Sequence, residues 1–131
     1  MTRYVITADV ALELAAERVV PADEHQLVAP TLIRSQMLSS LYRQVRLGEL
    51  DRAEADARMD HFRSMRPRLL GDRVLQRAAW RIAEQLGWDD TFDAEYVALT
   101  QLQADALVTL DDELAIAVGD LVVVASIDEL R

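Results

Sequence analysis

The chain has 131 residues, 51% of them hydrophobic, no cysteine and a formal net charge of -9. That length suits a single domain over residues 1–131 with a sizeable core. The lack of thiols excludes disulfides, thiolate metal sites and cysteine nucleophiles, and the acidic balance argues against a protein that coats nucleic acid over its whole surface.

The first predicted element is a strand over residues 3–7 of "MTRYVITADV", carrying Tyr4, Val5 and Ile6. Its start shows no secretory h-region or cleavage site, so a cytoplasmic protein is expected. Asp9 then stands as a helix N-cap before "VALELAAERV". "QLVAP" reads as a short buried strand stopped by Pro30. "TLIRSQMLSSLYRQVRLGEL" reads as a helix ending near Gly48. A polar helix is expected over residues 51–65, broken by Pro67, followed by a short extended piece in "RPRLLGD".

"DRVLQRAAWRIAEQLG" is amphipathic, with Leu75, Ala78, Ala79, Ile82, Ala83 and Leu86 as its buried stripe and Gly87 as its end. "TFDAEYVALTQLQ" continues as a helix, "DALVTL" as a strand, "DDELAIAV" as a short helix and "DLVVVAS" as a last strand. "SIDE" at 126–129 has capping-box spacing. Strands alternating with helices predict an α/β domain with a mostly parallel sheet and helices on both faces. No apolar run approaches the roughly 18 residues of a membrane span.

Asp9, Asp93 and Asp111 fall at strand-to-helix joints or in a first helical turn. In an open parallel sheet the carboxyl ends of the strands border the usual binding crevice. Acids gathered there suit Mg²⁺ or Mn²⁺. The same residues equally suit helix capping and the helix dipole, and spacing alone does not separate the two roles.

All fourteen basic residues are arginines. Arg73, Arg77 and Arg81 line one helix face beside Trp80, either as a solvated surface or as a strip for RNA phosphates. Glu84 is the one acid within helical reach of Arg81, and His25 and His61 read as isolated surface residues. Trp88 reads as packing a loop, and Asp89 and Asp90 as caps. Leu38, Leu41, Tyr42 and Val45 fit either a core stripe or a partner surface. A phosphoryl-accepting receiver domain would need a lysine beside its aspartate, and the chain has none.

The order of "YVITADVALEL", "TLIRSQM", "TFDAEYVALT", "ALVTLDDEL" and the closing "VVVAS" resembles the PIN-domain proteins, above all the small VapC-type toxins, nearly end to end. The resemblance implies a PIN-like three-layer α/β sandwich and Mg²⁺- or Mn²⁺-dependent endoribonuclease activity. It also implies an RNA substrate, a homodimer and a cognate antitoxin over the site. The family's third and fourth acids fall on Asp93 and Asp111, with Asp112 adjacent, and the threonine of its Thr-x-Asp falls on Thr109. Its first and second acids fall on Thr7 and Gln36, which are neutral. That loss removes two anionic ligands and part of the repulsion among clustered carboxylates, so a more stable metal-free protein and weaker metal binding are expected. Asp9, close to Thr7, stands as a partial replacement. The alternative is a PIN-like module that binds a partner protein or RNA without cleaving it.

Overall fold

The computed structural model describes residues 1–131. Five strands, β1 (Thr2–Ile6), β2 (His25–Pro30), β3 (Arg68–Leu70), β4 (Ala106–Val108) and β5 (Val124–Ala125), form one sheet in the order β3-β2-β1-β4-β5. Every neighbouring pair is parallel. Six helices flank it: α1 (Ala8–Ala16), α2 (Leu32–Arg46), α3 (Arg52–Ser64), α4 (Arg73–Leu86), α5 (Phe92–Gln103) and α6 (Asp112–Val118). A 3₁₀ turn, Ile127–Leu130, closes the chain where "SIDE" predicts a last turn, but the Ser126 hydroxyl accepts the Asp128 amide rather than the Glu129 amide of a capping box.

The central strands are apolar without alternation because helices cover both faces of a parallel sheet. Val5, Ile6, Leu27, Val28, Leu107 and Val108 are all buried. Helices α1, α2 and α3 pack on one another, while α4 packs on α5, which lies against β1, β2 and β4. The predicted stripe of α4 is its buried face: Leu75, Ala78, Ala79, Ile82 and Ala83 all enter the core. Asp72 caps its start by accepting the Leu75 amide at 2.9 Å. Gly87 ends it in the left-handed conformation at φ +69°, where a side chain would be strained.

The strand at "QLVAP" ends at Pro30 as expected, and Pro30 pairs with Leu70 of β3. Three local expectations are corrected. The first strand ends at Ile6, so Thr7 rather than Asp9 is the N-cap of α1, and Asp9 lies in the first turn. The last strand shrinks to Val124–Ala125, because the amides of Leu121 and Val122 turn back to the Val118 carbonyl. Neither histidine is a free surface residue: His61 Nε2 lies 2.6 Å from the Val19 carbonyl, and His25 packs edge-on against Tyr4.

Candidate active site

The strand order reverses between β1 and β4. From β1 the chain builds outward through β2 and β3, then crosses back to place β4 on the other side. Such a switch point leaves a crevice at the carboxyl ends of the two strands. The Thr7 amide donates to the Val108 carbonyl at 3.2 Å, so the segments that leave β1 and β4 start side by side. The first carries Thr7 and Asp9, and the second carries Thr109, Asp111 and Asp112.

Thr7 is buried, and its hydroxyl donates to Asp9 Oδ1. The same Oδ1 accepts the Val10 amide at 2.7 Å. Asp9 therefore reaches Thr7 although the strand alternation that would aim both side chains one way ends a residue too early. The Val10 amide, in the first turn of α1, holds the Asp9 Oδ1 in place.

Across the crevice, Thr109 Oγ1 accepts the Asp111 amide at 3.1 Å, and Asp111 Oδ1 accepts the Leu114 amide at 3.1 Å. Asp111 is thus the N-cap of α6, as its spacing predicts, and its second oxygen accepts from no protein donor. Asp112 is exposed and forms no side-chain hydrogen bond.

Asp93 is in the first turn of α5. The residue is exposed overall, yet its surroundings withhold enough water to raise the carboxyl pKa. The charges of Asp111, Asp90 and Asp9 raise it further, in that order. Acids from three separate elements, α1, α5 and the start of α6, therefore share one electrostatic field. Asp90 also accepts the Phe92 amide at 3.2 Å. Gln36, in the second turn of α2, accepts the Tyr96 hydroxyl through Oε1 at 2.5 Å. Burial pushes the Tyr96 hydroxyl well above the ordinary phenol range, with further contributions from Glu95, Asp9 and Asp93.

The donor chemistry, carboxylates with a hydroxyl and an amide, is what a hard divalent cation takes. The mutual charge burden on Asp93 is what such a cation relieves. No three acidic or histidine side chains are grouped closely enough to hold an ion as they stand. Tyr96 is the site residue that sequence reasoning missed. It lies three residues after Asp93 on the same helix, and that spacing puts both on one face.

On α4, Arg73, Arg77 and Arg81 are exposed and form no ion pair, whereas Arg18, Arg52, Arg58, Arg63 and Arg131 do. Glu84 bonds the Trp80 indole N–H instead of Arg81. On α2, Leu41 is core, while Leu38 and Tyr42 are exposed beside a hollow shared with α3.

No protein-family model matches the chain, and no curated protein matches it. Solved structures do. PAE2754 from Pyrobaculum aerophilum superposes with a TM-score of 0.78 at 24% identity, over 97% of this chain and 92% of that one. VapBC2 from Rickettsia felis, solved bound to a DNA fragment from their promoter, superposes with a TM-score of 0.68 at 10% identity, over 95% of this chain and 98% of that one. At these identities the likeness carries the fold: five parallel strands flanked by helices in the arrangement of a VapC-like PIN domain.

Proposed function

We propose that the chain is a Mg²⁺- or Mn²⁺-dependent endoribonuclease of the VapC toxin type, acting in the cytoplasm and held in check by an antitoxin. The observation that carries this reading is geometric: the segments bearing Asp9 and Asp111 leave β1 and β4 side by side, and Asp93 lies near enough that their charges add to burial in raising its pKa. Asp93 and Asp111 would hold the cation, with Asp9 assisting and Asp112 adjacent. A bound cation there supplies a Lewis acid for a phosphate and a more acidic water.

The chain's own groups do the positioning. Thr109 fixes the backbone of Asp111. Thr7 and the Val10 amide fix Asp9. Tyr96 fixes Gln36, whose amide nitrogen is left to donate to a phosphate oxygen or a neighbouring carboxylate. The likeness to VapBC2 supports an antitoxin partner, and the exposed Leu38 and Tyr42 on α2 suit contact with it or with a second copy.

A second reading, a PIN-like module that binds without cleaving, is favoured by one observation. Both neutral positions, Thr7 and Gln36, commit their hydroxyl or acceptor oxygen to an internal hydrogen bond rather than to a cation. Thermal melting with added Mn²⁺ separates the two. A site filled a hundredfold above its Kd adds about 2.7 kcal/mol to stability, and Asp93→Asn erases the gain. If millimolar Mn²⁺ and Mg²⁺ leave melting unchanged, the nuclease reading fails. If Thr7→Asp with Gln36→Glu cleaves RNA while the natural chain does not, the second reading holds.

A further inference from the structure

We propose that the outer face of α4 is a binding surface for single-stranded RNA, distinct from the carboxylate rim. The choice of RNA rests on the nuclease reading above; the surface itself does not. Arg73, Arg77 and Arg81 follow one another at a spacing of four and are exposed. None is neutralised: no acid of the chain forms an ion pair with any of them, although the molecule carries a net charge of -9 and acids are plentiful. The one acid on α4, Glu84, accepts the Trp80 indole N–H.

Trp80 is 64% exposed, well beyond the burial usual for a tryptophan. With its N–H held by Glu84, the ring is tethered along the helix and leaves a face beside Arg77 and Arg81. Gln76, Arg77, Trp80 and Arg81 line one shallow hollow. A fixed aromatic face flanked by guanidinium groups is what an unstacked base and its phosphates need, and a paired duplex cannot offer that base.

The topology ties this face to the rim. Helix α4 starts three residues beyond Leu70, at the carboxyl edge of the sheet, and residues 87–91 join its end to the turn of α5 that holds Asp93. A strand lying along α4 is thereby led toward the acids, whose negative field would otherwise oppose its approach.

The test is equilibrium binding of a short fluorescein-labelled oligouridylate in EDTA, by anisotropy, at several salt concentrations. Chelation keeps it independent of the metal site. A chain that fails to bind Mn²⁺ still reports here, and a failure here leaves the Mn²⁺ melting test untouched. Three single-strand phosphate contacts give a log–log salt slope of about -2. Arg77→Gln with Arg81→Gln should flatten it to about -0.7, and Trp80→Ala should weaken binding about tenfold at an unchanged slope. Trp80→Phe, which keeps a ring, should retain most of the affinity. Each variant is assayed well below its own measured melting temperature, and none removes an ion pair. Unchanged slope and affinity in the arginine and alanine variants would overturn the proposal. So would duplex RNA binding as tightly as the single strand. Equal competition by polyglutamate, with no effect of Trp80→Ala, would instead assign the face to an acidic protein segment and overturn it as well.

Discussion

Thr7→Asp places a second carboxylate against one already present. The Thr7 hydroxyl touches Asp9 Oδ1, and Thr7 is only 7% exposed. Two unit charges about 4 Å apart repel by roughly 4 kcal/mol at the effective dielectric of about 20 that suits such a site. Losing the threonine hydroxyl, which also lies 3.4 Å from the Val108 carbonyl, adds about 1 kcal/mol at any pH. The folded state lowers the repulsion by holding one proton between the two carboxylates, so the folded-state pKa of the pair rises above the unfolded value.

The sign follows from linkage. A carboxyl group whose pKa is raised by folding destabilises fully above the folded-state pKa and not at all below the unfolded one, about 4. In EDTA near neutral pH, Thr7→Asp should lose about 3–5 kcal/mol, or roughly 10–15 °C of melting temperature for a chain of this size. Near pH 4 only the smaller, pH-independent part should remain. Melting by circular dichroism across that range measures both. A variant that melts within about 2 °C of the natural chain near neutral pH, or one whose loss is the same at both ends of the range, would show that Thr7 and Asp9 do not share one space.

Asp93→Asn removes a carboxyl whose pKa is raised, chiefly by burial and then by Asp111, Asp90 and Asp9. It should raise the melting temperature of the metal-free protein near neutral pH and leave it unchanged below the ordinary carboxyl range; a lower melting temperature at neutral pH would contradict the assignment. Asp111→Ala removes the cap on the Leu114 amide and should cost about 1 kcal/mol in chemical denaturation, whereas Asp111→Asn keeps a good cap and should cost little. Only the metal-binding role is lost in the asparagine variant, so Mn²⁺ should stabilise neither; a full Mn²⁺ shift in Asp111→Asn would remove Asp111 from the ligand set. Tyr96→Phe removes the donor to Gln36 Oε1 and should cost about 1 kcal/mol by denaturant titration, because water reaches the half-buried Gln36 and limits the penalty. A loss of several kcal/mol there would mean that Gln36 is sealed from solvent.

The layout of the sheet was readable because "YVI", "QLVA" and "ALV" are apolar runs too short for helices, each followed by a helical period. The cap at Asp111 was readable because the strand before it ends cleanly and the amide three residues on falls to its carboxylate. At the first joint the same logic failed by two residues. Thr7 takes extended cap angles, φ -80° and ψ 167°, while its hydroxyl turns to Asp9 instead of to an amide of α1. Helix-capping statistics describe which residue stops a strand and starts a helix; they carry no information on which side-chain partner wins afterwards. Glu84 shows the same limit. Its spacing allows Arg81 at three residues or Trp80 at four, and the indole N–H took it.

The two neutral residues that the resemblance to PIN-domain proteins sets at acidic positions share one physical outcome. Each is bound to a neighbour inside the protein: Thr7 to Asp9, Gln36 to Tyr96. The crevice is divided accordingly. On the side of α1 and α2, Asp9 is the one charge that bears on Asp93 or Tyr96, and Thr7 and Gln36 are held by their neighbours. The side formed by α5 and α6 keeps Asp93, Asp111 and Asp112, all exposed, with Asp111 repelling Asp93. A cation drawn by that second side reaches the first only through Asp9. One of its oxygens carries both the Thr7 hydroxyl and the Val10 amide, and the other accepts from no protein donor. Whether Asp9 joins Asp93 and Asp111 in the proposed metal site therefore turns on that free oxygen. Asp9→Asn, which keeps the shape and the acceptor toward Val10, should abolish metal-induced stabilisation if the oxygen is a ligand, and should leave it intact if Asp93 and Asp111 hold the ion alone.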